Sequence, residues 1–310
     1  MIVAVVDVGT NSTRLLVADV DGGRVRRELE RRTAVTRLGE GVDDSGRLSE
    51  EAVERVLSAC ASYRELIDRH GAERVVAVLT SAVRDAGNGP ALERRLRERF
   101  GFEATTITGE REARLTFVGA TAARAFAGSL MVLDIGGGST EMVVGHDSSV
   151  EFFVSTQIGS VRHTERFLHA DPPTRSELDA CREAVRTGLA DAVPVDVRAS
   201  ARNGIAVAGT PTSFAAVDLG LEPYDRDRVD GHRLSLERCE QILAQLARKP
   251  VAERRAVPGL HPDRAPTIVA GGVILTEAMR LFGLGEIEVS EHDILDGAAL
   301  EAAEIARKRT

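Results

Sequence analysis

Two stretches of the chain carry residue types that handle phosphate. DVGTNSTRLLVADV runs from Asp7 to Val20, and DIGGGSTEMVVG from Asp134 to Gly145. Each is an aspartate closing an apolar strand, then a turn of glycine and small polar residues, then a second apolar strand. Such a turn gathers successive backbone N–H groups into a concavity that binds phosphate oxygens. Glycine permits the backbone angles and the close approach. The first turn is Gly9, Thr10, Asn11 and Ser12; the second is Gly136, Gly137, Gly138, Ser139 and Thr140. The hydroxyls of Thr10, Ser12, Ser139 and Thr140 add donors. Asp7 and Asp134 suit a hydrated magnesium ion, which takes one or two carboxylates together with substrate phosphate and water. One copy alone reads first as a glycine-rich hairpin with an Asx turn. Two copies at domain spacing reverse that reading.

The elements around the turns alternate strand and helix. Ile2–Val8, Arg14–Val20 and Val25–Thr36 read as strands, and Ser49 caps a helix whose apolar face is Val53, Val56, Leu57, Cys60 and Ile67. Gly71 ends it, Val75–Leu79 is a buried strand, and Ala91–Phe100 a charged surface helix. Thr105–Ile107 leads into a helix expected from Glu110 to Ala127. The pattern then restarts: Leu130–Ile135, Glu141–Val144 and Val150–Ser155 repeat the opening strand order. Thr174 and Glu177 form a capping box after the Pro172–Pro173 break. Ile205–Ala208 is a strand, helices are expected at Ser235–Arg248 and Ile268–Phe282, and Glu286–Val289 and Ile294–Lys308 close the chain. This gives two α/β domains of similar design, 1–125 and 126–310, with the boundary near Ala125–Ser129 and the last helix free to pack back on the first. Two such domains offer one acidic hairpin each to a shared cleft, where a row of phosphates and a divalent cation fit.

The totals bound the function. The 310 residues are 43% hydrophobic and 28% charged, as in a soluble globular protein. A net charge of −8 disfavours nucleic-acid and anionic-membrane partners. No run approaches the roughly 18 apolar residues of a membrane span, and Met1 leads into Ile2–Val6 without a basic leader. Cys60, Cys181 and Cys239 are scattered, with no C-x-x-C pair, which points to a reducing cytoplasm rather than disulfides or zinc. Lys249 and Lys308 are the only lysines, so a lysine-bearing P-loop is excluded.

Beyond the turns, TSAVRDAGN (80–88), ITGEREARLTF (107–117), LDIGGGSTE (133–141), IGSVRHTERF (158–167), AGTPTSFAA (208–216), PGLHPDRA (258–265) and VSEHDILDG (289–297) follow in order. With DVGTNSTRLLV, these segments resemble the exopolyphosphatase and guanosine pentaphosphate phosphohydrolase (Ppx/GppA) family in its short, two-domain form. The resemblance implies two actin-like domains of the ribonuclease H-like, sugar kinase/heat-shock ATPase superfamily around a central cleft, and a homodimer. It implies a cytoplasmic, magnesium-dependent exopolyphosphatase that releases terminal phosphate from inorganic polyphosphate. Hydrolysis of pppGpp to ppGpp is the same reaction on another substrate. An actin-fold kinase and a (p)ppGpp-binding sensor are the more distant alternatives; the first lacks a clear acceptor base and adenine pocket, the second would not need Glu112 and Glu141.

On residue type alone, Glu112 is either a general base or a carboxylate complementing a helix N-terminus, a task open equally to Glu110. Glu141 is either a surface glutamate at a strand start or a holder of water or metal. Arg84 is either a solvated surface arginine or a bidentate phosphate clamp. The resemblance implies the functional role in each case: Glu112 as base, Glu141 as catalytic carboxylate, Arg84 on phosphate. Arg162 is a weaker candidate for the same task. The arginine runs at 24–32 and 94–99 are interleaved with glutamates and read as solvated faces. Three positions depart from the family pattern: Arg111, where a second acid is common; Pro211, in a stretch usually richer in threonine; and Asp293, where a small residue is common.

If Asp7 and Asp134 act on one metal–phosphate unit, Asp7→Asn and Asp134→Asn each disrupt it, and the double variant costs little more, because groups acting as a unit are non-additive. Magnesium-dependent phosphate release from polyphosphate, measured on folded variants, checks this. Additive losses would mean separate sites.

Overall fold

The computed structural model describes residues 1–122, 124, 128–146 and 149–309. The chain divides into two compact units, Met1–Arg124 with Asp293–Thr310, and Ala125–His292. The expected boundary at 125/126 and the end of the helix expected through Ala127 lie outside the described residues.

Unit 1 contains β1 (Ile2–Val8), β2 (Ser12–Asp21), β3 (Arg24–Val35), α1 (Val42–Ser45), α2 (Glu50–His70), β4 (Arg74–Leu79), α3 (Ser81–Asp85), α4 (Gly89–Phe100), β5 (Glu103–Thr106), α5 (Gly109–Thr121) and the chain's last helix, Ile294–Arg309. The sheet order is β3-β2-β1-β4-β5. The first three strands are an antiparallel meander, and β4 and β5 run parallel to β1. Alternation along β1 assigns its two faces. Ala4, Val6 and Val8 pack with α2 and α4 side chains such as Val56, Leu57 and Leu96. Val3 and Val5 pack with Leu115 of α5 and with Ile294, Leu295, Ala298 and Ala302 of the last helix. Both faces are covered, which is why β1 reads as a continuous apolar run. Asp7 has the parity of Val3 and Val5, so it belongs to the face under α5 and the last helix.

Those two helices cross at contact distance because each offers a glycine. A Cβ on Gly119 would lie 1.9 Å from the Asp293 carbonyl oxygen, and one on Gly297 1.9 Å from that of Leu115.

Unit 2 contains β6 (Leu130–Ile135), β7 (Thr140–His146), β8 (Ser149–Thr156), α6 (Ser160–Phe167), α7 (Arg175–Ala192), α8 (Val195–Ser200), β9 (Asn203–Val207), α9 (Gly209–Leu219), α10 (Arg226–Val229), β10 (Arg233–Ser235), α11 (Leu236–Ala247), α12 (Val251–Arg254), α13 (Ile268–Leu281) and β11 (Glu286–Val289). The order β10-β11-β9-β6-β7-β8 repeats unit 1 with one strand added at the edge. Val273, Ile274 and Leu275 of α13 are fully buried against α7, α9 and α11 side chains such as Val185, Phe214 and Ile242. The capping box on α7 forms as expected, with both Thr174–Glu177 bonds present.

The structure differs from the sequence reading in a few places. Residues 103–106 form strand β5, and the helix after them starts at Gly109. Helices α3, α6 and α9 were not expected. The first two are short, five and eight residues; α6 buries Ser160 and His163, and α9 mixes threonines, a serine and Asp218 with its apolar residues, so none shows an apolar stripe.

Gly297→Ala should destabilise the protein by at least roughly 1–3 kcal/mol, since overpacking here meets main chain rather than a side chain that can move. Gly285→Ala, which meets nothing within 4 Å, should stay within about 0.5 kcal/mol of wild type. Urea denaturation of both variants checks the contrast.

Candidate active site

The two glycine turns are built alike, atom for atom in their closing bonds. Gly9 N–H donates to the Ser12 carbonyl at 3.0 Å, and Gly136 N–H to the Ser139 carbonyl at 3.0 Å. Each turn is then braced from outside by the segment that follows the third strand. In unit 1, Gly39 N–H donates to the Thr10 carbonyl at 2.9 Å, and the N–H groups of Thr36 and Arg37 to the Asn11 carbonyl at 3.0 and 2.9 Å. In unit 2, Ser160 N–H reaches the Gly136 carbonyl at 2.9 Å, and those of Val161 and Arg162 reach Gly137 at 2.8 and 3.1 Å. Arg162 also donates from Nε to the Gly138 carbonyl at 2.8 Å. Each held carbonyl shares a planar trans peptide with the N–H of the following residue, which therefore points the opposite way.

The bracing is tight. A Cβ on Gly39 would meet Thr10 Cγ2 at 2.2 Å, and one on Gly159 the Gly137 carbonyl oxygen at 2.3 Å. Arg37 has φ 47°, a left-handed backbone that costs a non-glycine residue about 1–3 kcal/mol. Sequence reasoning missed this bracing role of 36–39 and of α6. Its only signal was the glycines and polar residues just after a third strand.

The turn side chains are mostly buried and not equivalent. Thr10 and Ser81 share a hydroxyl–hydroxyl bond of 2.8 Å, so the first turn holds α3 and with it Arg84. Thr140 Oγ1 donates to the Ile158 carbonyl at 2.5 Å, tying the second turn to the segment before α6. Asn11 is 6% exposed, and its Nδ2 is buried with no hydrogen-bond partner. A buried amide N–H without an acceptor costs about 1–3 kcal/mol, and a phosphate oxygen would satisfy it.

Glu112 lies in the first turn of α5, whose N-cap Thr108 accepts from Arg111 N–H. Glu110 is exposed whereas Glu112 is 7% exposed, which separates the two carboxylates that the sequence left equivalent. Arg84 Nη1 donates to Glu112 Oε2 at 2.8 Å and to the Ile107 carbonyl at 3.1 Å. The structure therefore brings Arg84 and Glu112 together. Arg111 is directed to Glu301 of the last helix at 2.6 Å. Parts of the arginine runs are solvated faces: Arg26 pairs with Asp21 and Arg95 with Glu50 and Glu54. Arg31 departs from that reading, since its side chain is 15% exposed and bridges Glu28 and Asp296.

The aspartates close their strands in matching positions with different partners. Asp134 stands directly opposite Glu141 in the β6–β7 register, as Asp7 stands opposite Arg14 in β1–β2. Directly opposed residues project to the same sheet face. Asp134 and Glu141 are 8% and 1% exposed, and Ser155 Oγ donates to Glu141 Oε1 at 2.6 Å. Two buried carboxylates side by side repel unless a cation or proton lies between them. As hard oxygen donors in a pair, they fit magnesium's preference for one or two carboxylates plus phosphate and water. Among the described residues no group of three or more His, Cys, Asp or Glu forms a cage. Asp7 differs: Arg14 Nε and Nη2 both lie on its Oδ2, at 2.9 and 2.7 Å. Burial pushes the Asp7 carboxyl up against the pull of Arg14.

AGTPTS enters α9 through Ala208, at φ 72° and ψ −173°. Pro211 falls in the first helical turn, where its missing N–H costs no bond. Thr212 and Ser213 turn their hydroxyls back to the carbonyls of Ala208 and Gly209, at 3.0 and 2.6 Å.

The model of the Ppx/GppA phosphatase family matches residues 6–304. Exopolyphosphatase 2 of Mycobacterium tuberculosis is 41% identical over 326 aligned positions, covering 97% of this chain and 98% of that protein. The crystal structure of an exopolyphosphatase-like protein superposes with a TM-score of 0.92 at 35% identity, over 98% of both chains. That of the Aquifex aeolicus Ppx/GppA family member gives 0.84 at 30% identity, over 100% of this chain and 99% of the other.

The histidine on α6 makes a pH prediction. Burial, with Arg166 adding repulsion, pushes His163 down to about 4, and its Nδ1 has no partner. An unfolded chain protonates this histidine near its ordinary value of about 6.5. As pH falls from about 6.5 to about 4, the unfolded state takes up a proton the folded state refuses, and stability drops by up to about 3 kcal/mol. His163→Leu should lose less stability over that window. Urea midpoints at pH 7 and pH 4.5 check it; equal losses would refute it.

Proposed function

We propose, from the premise that the chain belongs to the Ppx/GppA phosphatase family and is a phosphoanhydride hydrolase, that it is an exopolyphosphatase acting with magnesium on the terminal phosphate of inorganic polyphosphate. The observation that carries the reading is Asn11. Its buried, unpartnered amide N–H sits in a turn whose Thr10 and Asn11 carbonyls are held by the segment after the third strand, so what it lacks is an acceptor, which a phosphate oxygen would supply.

Phosphoryl transfer asks for positioning and charge neutralisation. The N–H groups of Gly9–Ser12 and of residues 136–140 hold phosphate oxygens. Arg84, held through Nη1 by Glu112 and the Ile107 carbonyl, neutralises the charge that spreads over the transferred group. Glu112, fixed by that same contact, accepts the proton of the attacking water. Asp134, Glu141 and Asp7 are the residues that would hold magnesium, which supplies positive charge to the phosphate oxygens when bound. Glu141, fixed by Ser155, also orients water.

Two features favour polyphosphate over pppGpp. The curated relative above is named an exopolyphosphatase. The hydroxyls of Thr212 and Ser213 donate to main-chain carbonyls of 208 and 209, so they offer a nucleoside no free donor. The three buried free thiols suit a reducing compartment, and no helix among the described residues is long and apolar enough to cross a membrane. A homodimer completes the reading, and light scattering checks it.

Purified protein with magnesium should release phosphate from polyphosphate faster than from pppGpp or from ATP with sugars; the reverse order would replace the substrate. Glu112→Gln should fold normally and lower turnover by about 10²–10⁴-fold, the range for a lost general base. Near-normal turnover would remove Glu112 from the mechanism.

A further inference from the structure

Arg14 and Glu141 occupy the same place in the two hairpins, each opposite its aspartate. The hairpin design therefore does not demand an arginine; something in unit 1 does. Arg14 is the centre of a buried triad. One edge of its guanidinium lies on Asp7 Oδ2, and Nη1 pairs with Asp293. The side chains of both aspartates are 6% exposed.

Asp293 is itself held from several sides. Its Oδ1 accepts from Leu295 N–H at 3.0 Å, which caps the last helix. Its own N–H donates to Asp296 Oδ2 at 3.3 Å, and Asp296 is paired with Arg31 at 3.0 Å. Its carbonyl is the atom packed against Gly119 of α5, the helix that carries Glu112. The last helix, the Glu112 helix and the first phosphate turn are thus joined through one carboxylate.

The geometry of the triad has a chemical consequence. A guanidinium facing one carboxylate prefers a two-oxygen, fork-on-fork pairing. Here both Arg14 contacts fall on a single oxygen of Asp7, because the second edge of the fork is drawn to Asp293. We propose that Asp293 is a positioning residue: by holding Arg14 side-on, it confines the arginine to one oxygen of Asp7 and leaves the second uncommitted for the phosphate site. The inference rests on the exopolyphosphatase reading, in which Asp7 serves the phosphate site.

Asp293→Asn tests it. Asparagine caps a helix as well as aspartate does but carries no charge to hold Arg14. On protein shown to be folded by circular dichroism, the variant should lose about 10–100-fold in kcat on polyphosphate, the range for removing a partner that orients a site ligand, with KM little changed. Arg14→Lys, which keeps the charge but cannot span two carboxylates, should give the same split. Combining the two should cost no more than either alone. A role confined to helix capping predicts wild-type kcat for Asp293→Asn, and that result, or additive losses, overturns the inference while wild-type turnover upholds the parent reading. Should Asp293→Asn not fold, wild-type kcat in Arg14→Lys overturns it equally. A wild type that releases no phosphate from polyphosphate overturns both.

Discussion

A buried charge must be paired, and in unit 1 the guanidinium of Arg14 meets that requirement with two buried carboxylates. Arg14 stands on the central meander, where both faces of the sheet are covered, so its charge has little access to water. An isolated ion in such a place is expensive, and removing one partner of a buried pair typically costs about 3–5 kcal/mol. Asp7 and Asp293 meet the demand from opposite directions in sequence, one at the end of the first strand and one at the mouth of the last helix. The ionic contact thereby decides where the last helix starts, and the Gly119–Gly297 crossing decides how closely it lies on α5. Glu112, Asp7 and the first turn inherit their mutual placement from these contacts.

The hairpin has been used twice with one decisive change. Both copies close with the same Gly-to-Ser backbone bond and both are braced by the segment after the third strand. In one copy the residue opposite the aspartate is a cation, in the other an anion. The first copy comes with its counter-charge supplied by the protein. The second presents two carboxylates side by side, with Ser155 on one of them. The two hairpins thus share a backbone design and differ in charge: a pair of carboxylates in unit 2, and a carboxylate already paired with an arginine in unit 1.

Much of this was legible in the sequence. The strands before and after each turn, the Ser49 and Thr174 caps and the last helix follow from periodicity and capping chemistry, which depend on neighbours in sequence. The turns themselves were legible because glycine and small hydroxyls are rare in combination after an apolar strand. What could not be read was whatever depends on partners distant in sequence. Glu110 and Glu112 are indistinguishable until Arg84 is seen to reach one of them. Arg111 beside Glu112 looks like its neighbour until it is seen to reach Glu301. Asp293 looked like a departure from pattern; its partner is 279 positions away, and no local rule connects them.

The bracing of the turns explains why small helices matter more here than their size suggests. A glycine turn keeps its N–H groups pointing one way only if something holds it, since glycine is free to turn either way. Segment 36–39 and the start of α6 take up the opposing carbonyls and remove that freedom before any anion arrives. The cost is visible locally: Arg37 in a left-handed backbone, and glycines at 39 and 159 where any side chain would strike the turn. Preorganised dipoles need no reorganisation when charge develops, so strain held outside the turn is returned as order inside it. The buried amide of Asn11 is the residue of that arrangement, a donor fixed in place with no protein acceptor to meet it.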